Sequence, residues 1–269
     1  ERVCPSGSQR LSRSSHTFSV VDLSHYPIYL STVKLYDILF ASRQIEVVMK
    51  LNAVTKTSVE YPDSKSEKSR RTQQKLVEAG IDLFSTYGYD ATTTRNVELR
   101  ANVQRNLISY HFGSKEAFWK ACMTKLFGRF YELLLPALSQ AKDIEPSERT
   151  RFLIRQSVRA SAAHPEVMRI MFDEGRCDDW RLEWIVERYT RELFSAVKEL
   201  LDDGQACGAL PALTHLQFYY LLVSSGAMFA MAPEYRLLSG KNSCEEANID
   251  AQAEAIAQLL APGSSGRNL

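Results

Sequence analysis

The stretch that decides the fold runs from Thr93 to Glu116 and reads TTRNVELRANVQRNLISYHFGSKE. Val97 and Ala101 stand four apart, the spacing of one apolar face on a short helix over Thr94–Ala101, with Leu99 and Arg100 turned elsewhere. Asn102 follows, a residue type that accepts the left-handed backbone of a tight turn between helices. Val103, Leu107 and Ile108 then mark the buried side of a second short helix. Gln104, Arg105, Asn106, Ser109 and Tyr110 are left facing outward. Two short helices joined by a three- to four-residue turn, the second carrying Arg, Asn and Gln on its outer face, form the helix-turn-helix pattern. Arg can fork onto guanine O6 and N7, and Asn or Gln onto adenine N6 and N7. Tyr, Ser, Lys and backbone N–H groups suit phosphate oxygens. Taken alone, such a face serves equally well as a solvated surface.

Thr93-Thr94-Arg95, Val97, Ala101, Val103, Ile108, Tyr110-His111-Phe112 and Ser114-Lys115-Glu116 together resemble the N-terminal domain of the TetR/AcrR (tetracycline-repressor) family of transcription regulators. The preceding LVEAGIDLFSTYGYDATTT, Leu76 to Thr94, is similar to that family's first helix and the glycine–aromatic turn after it. Glu98 stands where the family usually carries a small Ala, and Asn102 where it usually carries Gly. Asn suits that turn. A carboxylate at position 98 must reach solvent or find a partner, for which Arg95 and Arg100 are the neighbours at hand. The resemblance implies an all-α chain: a three-helix DNA-binding domain over residues 65–114, then a larger helical effector-binding and dimerisation domain over residues 115–262. It also implies that Lys115 contacts phosphate.

Composition is that of a globular chain, 45% apolar and 24% charged, with a net charge of only +1. The charge is unevenly spread. Residues 65–130 hold 12 Lys and Arg against 6 Asp and Glu, residues 131–269 hold 14 against 20, and the first 64 hold 7 against 6. A basic segment followed by an acidic one is expected when one part meets polyphosphate and the other does not. Cys4, Cys122, Cys177, Cys207 and Cys244 lie far apart, with no C-x-x-C. That argues against a zinc site or a disulfide framework and suits reduced thiols in a cytosol, to which the family resemblance adds association with the nucleoid. The histidines, His16, His25, His111, His164 and His215, have no metal-ligand spacing. With no G-x-S-x-G, no phosphate-binding glycine loop and no H-E-x-x-H, neither catalysis nor a cofactor is expected.

Residues 1–64 are Ser-rich, lack a sustained helical period and match neither a signal peptide nor a membrane span. They are read as a disordered or non-native extension, with Met49 as the natural start. From Lys65 to Lys75, KSEKSRRTQQK is a basic lead-in in which Arg70 and Arg71 are the best phosphate candidates. The first helix presents Leu76, Gly80, Leu83, Phe84 and Tyr87 on one face and ends at Gly88. Ser114 should cap a new helix carrying Ala117, Phe118, Ala121, Cys122, Leu126, Phe130 and Leu133, disturbed or ended by Pro136.

Beyond it the pattern is helical throughout. Arg151 to Ala163 stops at His164-Pro165, Glu166 to Glu174 is short, and Asp178 to Asp203 is long, stopped by Gly204 and again by Gly208. Within that long helix Arg188 and Glu192 stand at ion-pair spacing. Thr214-His215-Leu216-Gln217 is a capping box opening an uncharged helix, Leu216 to Ala232, with Ile249 to Leu260 as its amphipathic partner. The uncharged run is too short to span a bilayer and is read as a bundle helix or subunit interface. Residues 263–269 read as a disordered tail.

The expected contacts follow. Arg105 and Asn106, with Arg95 from the preceding helix, are assigned to base edges, carried by a Gln104–Tyr110 helix in the major groove. Thr93, Tyr110, Lys115, Arg70 and Arg71 are assigned to phosphates. Gln104 and Ser109 share that surface, and His111 is read as a packing or phosphate-side residue. The family resemblance implies an effector pocket, for which Phe127, Tyr131, Phe152, Met168, Phe172, Trp180, Trp184 and Tyr219 supply candidate walls and Arg176 a polar anchor. It further implies a homodimer through segments 214–237 and 248–260. The resulting reading is a ligand-responsive repressor on double-stranded DNA, its effector an apolar or aromatic small molecule. Two alternatives remain: a helical interaction module whose basic patch binds an acidic partner, and a helical enzyme with a vestigial DNA-binding head.

Overall fold

The computed structural model describes residues 67–262, so the expectations for the first 66 residues, including Met49 and Lys65, and for the tail from 263 lie outside the described residues. Every regular element among the described residues is helical. Helix α1 (Glu67–Ala91) buries Gln73, Leu76, Val77, Gly80, Ile81 and Phe84, the three-and-four spacing of an amphipathic helix. It crosses α4 (Lys115–Gln140) closely at Gly80, where a Cβ would come within 2.6 Å of the Cys122 sulfur and of the Phe118 ring. Helical hydrogen bonding runs past the expected stop, but Gly88 kinks it at φ 77°. The kink changes which tyrosine packs. Tyr87, expected on the buried face, is 63% exposed, and Tyr89 stacks on Phe84 instead.

Helices α2 (Thr94–Arg100) and α3 (Leu107–Phe112) complete the head. Ser114 caps α4 by accepting from the Ala117 amide. The helix continues through Pro136 to Gln140, rather than ending at the proline. Pro136 lies on the exposed side, where water can take the Glu132 carbonyl that loses its helical donor. Leu133 and Ala117, expected on the buried face, are exposed.

The larger helical domain follows. It contains α5 (Pro146–Ala163), α6 (Pro165–Glu174), α7 (Trp180–Ile185) and α8 (Arg191–Ala206), with a π-helical turn at Val186–Thr190 joining the last two. The long helix expected from 178 to 203 is therefore widened in its middle. It also runs through Gly204, which is a packing position: a Cβ there would meet Leu210 at 2.5 Å. The left-handed Gly208 makes the turn. The exposed pair in this region is Arg191 with Glu187, not Arg188 with Glu192; Arg188 lies over the Trp184 ring.

The capping box at Thr214–Gln217 forms as expected and opens α9 (His215–Ser224). The uncharged helix does not run unbroken to Ala232. It breaks at Ser225-Gly226, where Gly226 lies close against Ser161 and Met168, and resumes as α10 (Ala227–Ala230) and α11 (Ala232–Ser239). Helix α12 (Glu246–Leu260) lies antiparallel along α5, tied by Arg151 and Arg155 to Glu254 and by Arg159 to Glu246 and Asp250. Its contact with the α9–α10 segment is narrower, through Gln252 to the Ser225 carbonyl and Ala253 beside Phe229. No helix among the described residues is long and apolar enough to cross a membrane.

Candidate nucleic-acid interface

The two short helices are held by a small apolar frame. Val97 and Ile108 are fully buried beside Phe84 and Phe118, with Ala101, Val103 and Leu107 half-buried around them. Thr93 caps α2, its hydroxyl oxygen accepting from the Asn96 amide at 3.1 Å. The turn is closed by Asn102 N–H to the Leu99 carbonyl and Val103 N–H to the Glu98 carbonyl. Asn102 takes φ 52°, the left-handed conformation its residue type implied.

Glu98 neither reaches solvent nor pairs with an arginine. It is buried, and its carboxylate accepts the backbone N–H of Ile108 at 3.1 Å. A helix start leaves several amides without intrahelical partners, and this carboxylate satisfies one of them across the turn. Arg100 is engaged with Asp82 of α1 instead. The departure from the family pattern is therefore a brace: Glu98 joins α2 to α3, and Arg100 joins α2 to α1.

The second helix begins later than its apolar spacing suggested. Asn106 has φ 65°, outside any right-handed helix, so Gln104, Arg105 and Asn106 belong to the turn and α3 starts at Leu107. All three are exposed, as are Arg95, Ser109 and Tyr110, the last at 79%. Among the described residues the side chains of Arg95, Gln104 and Arg105 have no hydrogen-bond or ion-pair partner, so their donors are available. The Thr93 hydroxyl, used as an acceptor by the cap, retains its proton to donate.

His111 is turned inward instead, packed edge-on between Tyr110 and Phe112, and its burial depresses the imidazole pKa. Lys115 is half-buried, its ammonium 4.2 Å from the centre of the Tyr89 ring, and burial lowers its pKa. Arg70 and Arg71 both hold Glu67, in exposed pairs that water weakens. An open groove beside the turn is lined by Lys68, Arg71 and Lys75 of α1 and by Asn102, Gln104 and Leu107. Lys68 and Lys75 were missed from sequence. Their spacing with Arg71, three and four residues along one helix, was the available signal.

The expected effector residues do not form one chamber. Phe127 stacks on Tyr189 at 4.5 Å, and the Tyr131 hydroxyl donates to the Tyr189 carbonyl at 2.8 Å. Trp180 and Trp184 pack edge-on against Trp119, Met168 is core, and Tyr219 sits against Phe194. Phe152 is a half-buried side chain of a second apolar cluster. Phe172 is partly exposed, and Arg176 reaches out to Asp173. These large side chains fill space rather than enclose it. A narrow cavity of about 40 Å³ lies elsewhere, between α4, α5, α8 and α9. Leu134, Leu153, Leu193, Val197 and Leu222 line it, with Gln156 and Ser157 as its polar groups.

Comparison with known proteins agrees with this architecture. Residues 76–122 match the model described as bacterial regulatory proteins, tetR family. Residues 146–259 match the tetracyclin repressor-like C-terminal domain. The chain is similar to the HTH-type transcriptional regulator RutR of Escherichia coli K12, at 21% identity over 218 residues covering 78% of this chain and 98% of RutR. It is also similar to the HTH-type transcriptional repressor NicS of Pseudomonas putida, at 20% identity over 65% of this chain and 82% of NicS. Among solved structures, AibR in complex with isovaleryl coenzyme A and operator DNA superposes with a TM-score of 0.56 at 16% identity, covering 71% of this chain and 99% of AibR. The two family models fall on the two parts seen in the structure, the first over the braced helix-turn-helix and the second over the larger helical domain. This chain belongs to the tetR family and is a DNA-binding transcriptional regulator.

Proposed function

We propose that this regulator is an effector-responsive repressor that binds, as a homodimer, a pseudo-palindromic operator. The observation that carries the reading is that Arg95, Gln104 and Arg105 have exposed, unpaired side chains and Tyr110 an exposed one, on a head whose turn is fixed by buried contacts. Arg105 and Asn106, with Arg95, serve base edges; Gln104 and Ser109 lie beside them. Thr93, Tyr110, Lys115, Arg70 and Arg71 serve phosphates, joined by Lys68 and Lys75 from the groove wall.

The dimer reading is supported by Leu216, Tyr220 and Leu221 on α9 and Leu259 on α12, apolar side chains left exposed on the segments assigned to the interface. Two heads related by a two-fold axis would meet the same groove face about 34–36 Å apart. The effector reading is supported by the apolar cavity between α4 and α8, which contains no charged side chain and so suits an uncharged aliphatic or aromatic group. Expansion of that cavity by a ligand would bias the two head arrangements, only one of which fits the groove spacing.

Selection of bound sequences from random duplex DNA tests this reading. The expected outcome is an inverted repeat with half-sites one helical turn apart. An acidic peptide that displaces the protein from every duplex equally, with no consensus selected, would favour the interaction-module alternative.

A further inference from the structure

The junction between the head and the larger domain holds a polar cluster that the DNA-contact surface does not use. Arg181, in the first turn of α7, is 8% exposed. Its Nε donates to Glu174 at 2.7 Å, and a terminal nitrogen lies 2.6 Å from Asp179. The same guanidinium approaches Asp90 at 3.9 Å and lies 4.8 Å from the centre of the Tyr89 ring. Tyr89 and Asp90 belong to α1, so one side chain of the larger domain reaches two residues of the head. Tyr89 also carries Lys115, whose ammonium is 4.2 Å from the same ring. Trp180 closes the group, edge-on to Tyr89 at 5.7 Å.

Stability alone does not explain this arrangement. Glu174 is 5% exposed and ends α6, where the helix dipole disfavours a carboxylate. Burial raises its pKa, against the pull of Arg181. Buried pairs of this kind contribute little net stability compared with apolar packing. What the pair does achieve is geometric: it fixes a planar cation against the ring that also seats Lys115. Lys115 in turn opens α4 directly after α3 and Gly113.

The geometry points to Arg181 as a positioning residue for DNA binding, holding Tyr89 and through it Lys115 in place for a phosphate. The inference rests on Lys115 being a phosphate contact. Arg181 itself touches no DNA; it bears on Lys115 through the shared ring and directly, as a like charge that helps to lower the lysine pKa. It gives the larger domain a direct hold on one contact of the head, because any shift of α6 against α7 moves the guanidinium.

The test is the salt dependence of operator binding for the full chain, with wild type, Lys115→Ala, Arg181→Gln, Arg181→Lys, Tyr89→Leu and the double variant of Lys115→Ala with Arg181→Gln. Lys115→Ala should flatten the slope of log affinity against log salt by about one unit. Arg181→Gln should weaken binding roughly tenfold and flatten the slope by a similar amount, Arg181→Lys should recover part of it, and the double variant should be no weaker than Lys115→Ala. Tyr89→Leu should repeat the Arg181→Gln result, and it carries the comparison if Arg181→Gln does not fold. Losses that add in the double variant with the wild-type slope retained would overturn the inference, because a merely destabilised protein loses active fraction without losing a phosphate contact. A wild-type slope for Lys115→Ala alone would remove the phosphate reading on which it rests.

Discussion

At the scale of single residues, the position that distinguishes this head is Glu98. Its carboxylate stands in for a backbone partner of α3, accepting the Ile108 amide in a site water does not reach. Replacing it with Ala should leave that amide unpaired, at about 1–3 kcal/mol. Glu98→Gln keeps a carbonyl oxygen of similar reach and should recover most of the loss. Urea unfolding of the two variants checks this, and a Glu98→Ala protein as stable as wild type would contradict the brace. Sequence reasoning recognised that a carboxylate there needed a partner but looked to arginines. The partner was a backbone amide ten residues on, which becomes a neighbour only when the turn has closed. His111 carries a pH signature of the same head. Its folded pKa is depressed from the ordinary value of 6.5 because burial disfavours the charged ring. The unfolded chain therefore binds more protons as pH falls, so this stabilisation is complete above about pH 6.5 and is lost as pH drops through the lower folded value. His111→Gln should flatten the decline of melting temperature below pH 6.5; an unchanged decline would exclude His111 as its source.

At the scale of elements, local signals were legible where they act within a few residues. The caps at Ser114 and Thr214 and the left-handed Asn102 all formed where their residue types placed them. For Thr214→Ala the expected loss is about 1 kcal/mol, since the hydroxyl accepts the Gln217 amide and Gln217 returns a bond to the Thr214 amide. Thermal unfolding measures it, and a neutral substitution would mean that α9 is held by packing alone. Signals that depend on another element were not legible. Gly204 looked like a helix stop and is a packing surface for Leu210, while Gly226, where α9 ends, lies close against α5 and α6. Asn106 hid the start of α3 because the apolar spacing of Val103, Leu107 and Ile108 is satisfied equally by a turn followed by a helix. The aromatic residues assigned to an effector chamber are packed against one another for the same reason. Composition shows that large side chains are present, and only packing decides whether they fill a core or surround a cavity.

At the scale of the whole molecule, the basic segment and the acidic one correspond to two parts with different work, and the apolar core is continuous between them. Leu76 and Phe84 of α1, Trp119 and Phe127 of α4, Ile170 of α6 and Tyr189 beyond α7 belong to one buried cluster. Because the head and the larger domain share this core, a change in the packing of the larger domain bears on the head. On the proposed reading this head presents Arg105, with Asn106 and Arg95, to base edges, while Lys115, Arg70 and Arg71 meet phosphate. The most direct measurement is the affinity of Arg105→Ala for a selected operator and for random duplex at one salt concentration. Loss of about 1–3 kcal/mol on the operator, with relaxed preference at one base pair per half-site and little change on random DNA, is the expected result. An equal loss on both would contradict the account, because it would make Arg105 one more phosphate contact rather than a reader of bases.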